Sequence, residues 1–295
     1  MNIAVIESIE YTSEQKKRLE SLGKVTYFEG LPSAEEIVHR AEGQDILAVD
    51  WAPIDEGIKE MNAGVKLISL PFTGVGWLPL KEAAEKGIKI ANSPGYSTEA
   101  VAEFGMGITI SLIRRISKYG SELKPETTST LYKKNLLILG AGNIGKRVSL
   151  LAQAFGMNVS FWKRGDNLNA MLSNADVVYC ALPFSPETTS LLGVKEFSNM
   201  KKGAYFVTTS HNKIYDSKAL LKALDTHLAG AAIDLEGTNT GDYANEIYIL
   251  LKNNPKVIVT PHVAYNTDYA QWRGKEMQID NIEAFVKGRP INITN

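Results

Sequence analysis

The chain has little of what crosslinked or metal-built folds require: of its 295 residues, one is cysteine and four are histidine. A single cysteine excludes an internal disulfide framework and a cysteine-based zinc site. Cys180 lies in the apolar run Val177-Val178-Tyr179-Cys180-Ala181-Leu182, the setting of a buried core thiol and not of a nucleophile. No His, Asp or Glu grouping has ligand spacing, so no metal is expected. His39 and His227 fall in helical or helix-end contexts and read as solvated or capping residues. Excess charge is also missing. Lys and Arg total 32 against 33 Asp and Glu, a net charge of −1, which offers no field for nucleic acid or an anionic membrane. Uncharged apolar runs such as Gly105 to Ile113 reach about ten residues, and a membrane span needs about 20. Met1 to Glu7 places an acid where a signal peptide starts basic. A cytoplasmic protein with no nucleic-acid or membrane partner is expected.

What the chain does have is alternation. Its length predicts about two domains. Asn2–Glu7, Val25–Phe28, Ile46–Val49, Lys66–Leu70 and Lys89–Ala91 read as strands, with helical patterns between them. Ser33 followed by Glu36 makes a capping box. A long helix is expected after Asn92-Ser93-Pro94-Gly95, and then a linker over Ser121 to Thr130. Alternation resumes with strands at Leu136–Leu139, Asn158–Phe161, Val177–Leu182, Tyr205–Thr208, Ala231–Ile233 and Val257–Thr260. From Thr267 the chain reads as helix ending in a polar tail. This pattern implies an α/β fold with parallel sheets covered on both faces.

Gly140-Ala141-Gly142-Asn143-Ile144-Gly145 follows a strand and opens a helix. In that context G-x-G-x-x-G predicts a dinucleotide site. Gly140 serves the tight turn, Gly142 the approach of a pyrophosphate, and Gly145 the packing of helix on strand; the helical run expected over Lys146 to Phe155 offers free N–H groups at its start, and Asn143 and Ile144 of the loop are counted with the cofactor-binding residues. The adenosine ribose should be read about 20 residues on, where Phe161-Trp162-Lys163-Arg164-Gly165-Asp166 stands. A carboxylate there repels a 2′-phosphate, and Lys163 with Arg164 attracts one. NADP(H) is therefore favoured, with NAD(H) the alternative if Asp166 reaches back to the ribose.

Several ordered motifs together resemble the D-isomer-specific 2-hydroxyacid dehydrogenases over nearly the whole chain. They are Asn92-Ser93-Pro94-Gly95 with Val101-Ala102-Glu103, the glycine loop preceded by Leu131-Tyr132-Lys133-Lys134, Leu182-Pro183-Phe184-Ser185-Pro186-Glu187-Thr188, and Thr260-Pro261-His262. The resemblance implies a Rossmann-type dinucleotide-binding domain (97–267) inserted into a flavodoxin-like substrate domain (1–96 plus 268–295). It also implies a homodimer, and hydride transfer between a nicotinamide and a 2-oxoacid with His262 as general acid/base. Leu182, Pro183, Thr188, Thr209 and Asp234 then fall at cofactor positions. The backbone N–H groups of Val75 and Gly76 fall at the substrate carboxylate, with Trp77 beside them.

The chain departs from the family pattern at three places. Where an arginine is usual, aligning Ala204 to Lys213 places His211, and Asn212 and Lys213 replace two glycines. Asn239 stands where a carboxylate would orient His262, with Glu236, Asp242 and Glu246 as rivals. Gly76 and Pro79 replace aspartates of the substrate loop. Histidine lacks arginine's permanent charge and planar fork, so an altered carbonyl substrate is expected. A nucleotide-binding sensor or interaction protein without turnover is the alternative.

Overall fold

The computed structural model describes residues 1–61, 64–118, 127–235 and 246–295. The chain divides into two compact units, Met1–Ser97 with Thr267–Asn295, and Thr98–Asn266.

The first unit holds β1 (Asn2–Val5), α1 (Ser13–Glu20), β2 (Lys24–Tyr27), α2 (Ala34–Arg40), β3 (Ile46–Ala48), α3 (Ile54–Glu60), β4 (Leu67–Ser69), α4 (Leu80–Glu85), β5 (Lys89–Ala91) and the final helix α11 (Asp268–Val286). Its strands pair in parallel in the order β2-β1-β3-β4-β5. Successive side chains of a strand face opposite ways, so both faces must be apolar. Ala4, Leu47 and Ile68 join Ile37 of α2, Ile54 and Ile58 of α3 and Ala83 of α4 on one face. Ile3, Val5, Ile46 and Leu67 join Leu19, Ile279 and Ile282 on the other. Three helices thus cover the first face, and α1 with α11 covers the second.

The buried amide of Gln278 fixes α11 to the sheet. It donates to the carbonyls of Val49 (2.9 Å) and Ser69 (2.8 Å) and accepts from the Tyr11 hydroxyl (2.5 Å). Burial without these partners would cost about 1–3 kcal/mol. The tail beyond α11 is not loose: Ile293 bridges antiparallel to Ala91, and Asn295 accepts the Ile90 N–H. The Ser33–Glu36 capping box is present at the start of α2.

The second unit holds α5 (Thr98–Arg114), β6 (Asn135–Leu139), α6 (Asn143–Ala154), β7 (Asn158–Trp162), α7 (Leu168–Leu172), β8 (Val177–Cys180), α8 (Val194–Asn199), β9 (Tyr205–Thr208), α9 (Ser217–Thr226), β10 (Gly230–Asp234), α10 (Glu246–Asn253) and β11 (Val257–Thr260). Its six strands are parallel in the order β11-β10-β9-β8-β6-β7. Leu136, Ile138, Val177 and Tyr179 face Met106, Leu112 and Val148 of α5 and α6. Leu137, Leu139, Val178 and Cys180 face Phe197, Leu220, Leu224 and Leu251 of α8, α9 and α10. Cys180 is a fully buried thiol, and burial raises its pKa. β8 ends at Cys180, two residues before the strand expected from the apolar run, because the chain turns there into the loop at the sheet's edge. Of the linker expected over Ser121 to Thr130, residues 121–126 lie outside the described residues. Among the described residues no helix is long and apolar enough to cross a membrane.

Candidate functional site

Order reversal in a parallel sheet opens a crevice at the carboxyl ends of the strands. In the second unit the chain runs from β6 outward to β7 and then returns to β8 on β6's other side. The glycine turn sits at that point, and its three glycines meet three different surroundings. Gly140 has φ +108°, and a Cβ there would lie 2.7 Å from the Ala181 carbonyl oxygen. A Cβ on Gly145 would lie 2.0 Å from the Gly140 carbonyl oxygen, so α6 can approach β6 only without one. Gly142 meets nothing within 4 Å and faces open space, with Ala141 and Asn143 also exposed. Gly142 is the N-cap of α6 and has no side chain to cap the first N–H groups. A diphosphate oxygen can therefore reach the first turn of α6 at Asn143 and Ile144, where the helix dipole is positive.

At the end of β7, Lys163 and Arg164 are exposed. The Asp166 carboxylate accepts the Lys163 N–H at 2.8 Å, while the Asp166 N–H donates to the Lys163 carbonyl at 3.0 Å. Asp166 is thus engaged in closing its own turn.

After β8, the buried Thr188 organises the loop: its hydroxyl donates to the Pro183 carbonyl (2.8 Å) and accepts from the Ser185 N–H (2.8 Å). Leu182 is half-buried against the core, and Pro183 is exposed. Phe184 projects from this loop and stacks on the His211 ring, with centroids 4.4 Å apart and planes 24° from parallel. Lys213 places its ammonium 5.7 Å from the same Phe184 ring. The Lys213 N–H donates to His211 Nδ1 at 3.0 Å, so the neutral imidazole carries its proton on Nε2. Beside them the Thr209 hydroxyl lies 3.0 Å from the Tyr179 hydroxyl, whose pKa burial raises.

Asp234 ends β10 and is buried. Its carboxylate accepts from the Thr260 hydroxyl (2.6 Å), the Val263 N–H (3.0 Å) and the Ala264 N–H (2.9 Å). Those three donors bracket His262, which is half-buried and tilted against the Tyr265 ring at 5.2 Å. His262 has φ +50°, a left-handed conformation that costs a non-glycine residue of order 1–3 kcal/mol. The carboxylate of Asp234 holds the chain in that turn. Nothing local in the sequence signals this bracing, since the partners stand nearly thirty positions apart. Asn239, with Glu236 and Asp242, lies outside the described residues; Glu246 begins α10.

In the first unit, Val75 is buried and anchors the Phe72–Trp77 loop in the core, while Gly76 and Trp77 are exposed. The indole N–H of Trp77 donates to the Gly74 carbonyl at 3.0 Å, and its ring stacks on Phe72 at 6.4 Å. Among the described residues, the N–H groups of Val75 and Gly76 have no protein acceptor.

The D-isomer specific 2-hydroxyacid dehydrogenase NAD-binding domain profile matches residues 106–264. The chain belongs to the D-isomer-specific 2-hydroxyacid dehydrogenase family. Glycerate dehydrogenase of Methylorubrum extorquens is 28% identical over 285 residues, covering 90% of each chain. A putative 2-hydroxyacid dehydrogenase of Haemophilus influenzae is 31% identical, covering 86% of this chain and 88% of its own. Among solved structures, an acyclic imino acid reductase in complex with NADPH and D-Arg superimposes with a TM-score of 0.86 over 100% of both chains. Its identity is 24%, a likeness of fold. The sheet of the second unit is the family's Rossmann NAD-binding domain, and its glycine turn fits the diphosphate of a nicotinamide dinucleotide.

Proposed function

We propose that this dehydrogenase is an NADPH-dependent reductase of 2-oxoacids with His262 as the general acid. One observation carries the reading: in the second unit all six parallel strands deliver a candidate residue to the same edge. β6 brings the glycine turn, β7 Lys163 and Arg164, β8 the Leu182–Thr188 loop, β9 Thr209 and His211, β10 Asp234, and β11 His262.

The roles follow from the chemistry. The N–H groups at Gly142, Asn143 and Ile144 bind the diphosphate, and Lys163 with Arg164 binds the 2′-phosphate. Leu182, Pro183, Thr188 and Thr209 shape the nicotinamide end. The nicotinamide, when bound, supplies hydride to the carbonyl carbon. His262 gives its proton to the carbonyl oxygen as that oxygen takes up charge. Asp234 positions His262 through the backbone, and the family resemblance assigns Asn239 to hold the imidazole. The N–H groups of Val75 and Gly76 bind the substrate carboxylate, and His211 Nε2–H donates to a polar group of the substrate.

The test is kcat/KM for NADPH against NADH with a panel of 2-oxoacids, in the wild type and in His262→Ala. Turnover lost in His262→Ala, with NADPH preferred, is the expected result. A tenfold preference for NADH overturns the cofactor assignment. Undiminished turnover in His262→Ala overturns the catalytic one. An Arg164→Asp exchange should move preference toward NADH by about tenfold or more, the scale of one charge-assisted phosphate contact.

A further inference from the structure

The turn that carries His211 is held by a contact the roles above do not use. The chain leaves β9 at Thr208 and passes through His211 into a tight turn over Asn212–Ile214. Backbone bonds lace this turn to the segment that follows the Phe184 loop. The Ser190 N–H donates to the Lys213 carbonyl (2.8 Å), the Leu192 N–H to the Ile214 carbonyl (3.1 Å) and the Asp216 N–H to the Leu192 carbonyl (2.9 Å). Ile214 and Tyr215 enter the core that also holds Leu235 and Leu251.

A second tie comes from α10. The side-chain amide of Asn212 donates through Nδ2 to the hydroxyl of Tyr248. Tyr248 is half-buried and packs on the same core as Leu251, which lies three residues further on and therefore on the same face of the helix.

Two features give this tie a meaning beyond packing. Glycine, the residue of the family pattern at 212, has no side chain with which to reach Tyr248, so the tie is this chain's own. The Asn212 Oδ1 atom is buried and, among the described residues, meets no hydrogen-bond partner. A buried acceptor without a donor is destabilising, and an unmet group of this kind in a folded protein calls for a role other than stability.

The role lies next door in the chain. The His211 ring is fixed at Nδ1 by the Lys213 N–H and on its face by Phe184. Both contacts move with the turn: Lys213 is part of it, and the Phe184 loop is laced to it through Ser190 and Leu192. Whatever holds the turn thus holds the imidazole.

We infer that Tyr248 is a positioning residue for His211, acting through the side chain of Asn212. The inference rests on the reductase reading for what His211 touches, and adds how the imidazole is kept in place.

The experiment is a double-mutant cycle on the full chain, with NADPH and either pyruvate or glyoxylate. Tyr248→Phe keeps the ring and removes the hydroxyl. It should lower kcat/KM about tenfold, the scale of one buried hydrogen bond, while NADPH affinity by fluorescence titration stays within about twofold. Asn212→Ala cuts the same tie from the other end and should give the same fall, alone or combined with Tyr248→Phe; it also serves if Tyr248→Phe fails to fold. In a His211→Ala background neither substitution should lower the rate further. An unchanged rate in Tyr248→Phe, an additive fall in the His211→Ala background, or an equal loss of NADPH affinity overturns the inference. If neither acid is reduced, or His211→Ala turns over like the wild type, the role given to His211 fails instead, and proton NMR of the imidazoles decides the positioning. The His211 resonance, assigned by its loss in His211→Ala, should move in Tyr248→Phe while those of His39 and His227 stay. A His211 resonance that does not move overturns the inference.

Discussion

Asp234 sets the turn at His262: the three donors that meet its carboxylate, Thr260 Oγ1 and the N–H groups of Val263 and Ala264, enclose a histidine held at φ +50°. Asp234→Asn keeps the size but offers an NH2 where an N–H must be accepted. Leaving a buried donor unmatched costs about 1–3 kcal/mol, so urea unfolding should show the variant less stable by that amount. Turnover should fall with it. A variant as stable as the wild type would remove Asp234 from this role.

The strain at His262 is separable from its chemistry. His262→Ala and His262→Gly both delete the imidazole and should both lose turnover. Glycine adopts positive φ without the Cβ penalty, so the glycine variant should be the more stable by about 1 kcal/mol in thermal unfolding. Equal or reversed stabilities would mean the turn relaxes when the imidazole is removed.

Within the glycine turn two substitutions should behave oppositely. Gly145→Ala puts a Cβ 2.0 Å from the Gly140 carbonyl oxygen, and overpacking of that kind costs about 1–3 kcal/mol or more. Gly142→Ala meets no atom within 4 Å. It should change stability by less than about 1 kcal/mol yet weaken dinucleotide binding tenfold or more, as measured by fluorescence titration with NADPH. Retained affinity in Gly142→Ala would place the diphosphate elsewhere.

His211→Arg puts a permanent charge and a fork at the position to which the resemblance assigns the family's arginine. Phe184, stacked on His211 at 4.4 Å, offers a guanidinium the same face. Since loss of a charged donor at the carbonyl costs about 10²–10³ in rate, kcat/KM on glyoxylate or pyruvate should rise by at least tenfold. Unchanged rates would argue that His211 is remote from the carbonyl.

Asp50 makes stability depend on pH in a defined direction. Its folded pKa, about 6, lies above the ordinary 3.8 because of burial first and the Glu7 charge second. The folded state therefore holds the proton more tightly than the unfolded state. The cost of ionisation is absent below about pH 3.8, grows as pH rises, and is complete above about pH 6. Asp50→Asn should exceed wild-type stability by about 2–3 kcal/mol at pH 7, with the gap closing on acidification across that window. A constant gap would assign the gain to something other than charge.

Much of this protein was legible in its residue order because the signals are local. A strand buried on both faces must read as an apolar run, as Leu136 to Leu139 does, whatever packs against it. Gly140, Gly142 and Gly145 announce a turn that few other residues permit. Ser33 and Glu36 cap a helix through bonds three residues apart. The helix after the glycine turn begins at Asn143 and not at Lys146 because Gly142, the N-cap, already supplies its first carbonyl. The polar tail was another matter: its pairing with β5 depends on an edge some two hundred residues away.

The sequence by itself determined the alternation of strands and helices, the dinucleotide turn and the list of polar residues available for chemistry. The tertiary structure decided what each of those residues does. Glu7 reads as one more acid at the end of a strand until the N–H groups of Asp50, Trp51 and Ala52 converge on it. Asp234 becomes the brace of His262, and Phe184 the platform of His211, through contacts between chain segments about thirty residues apart. Local conformational preference is written in neighbouring residues. Hydrogen-bond partnership, burial and the pKa shifts that follow arise only when parallel strands bring distant loops to one edge.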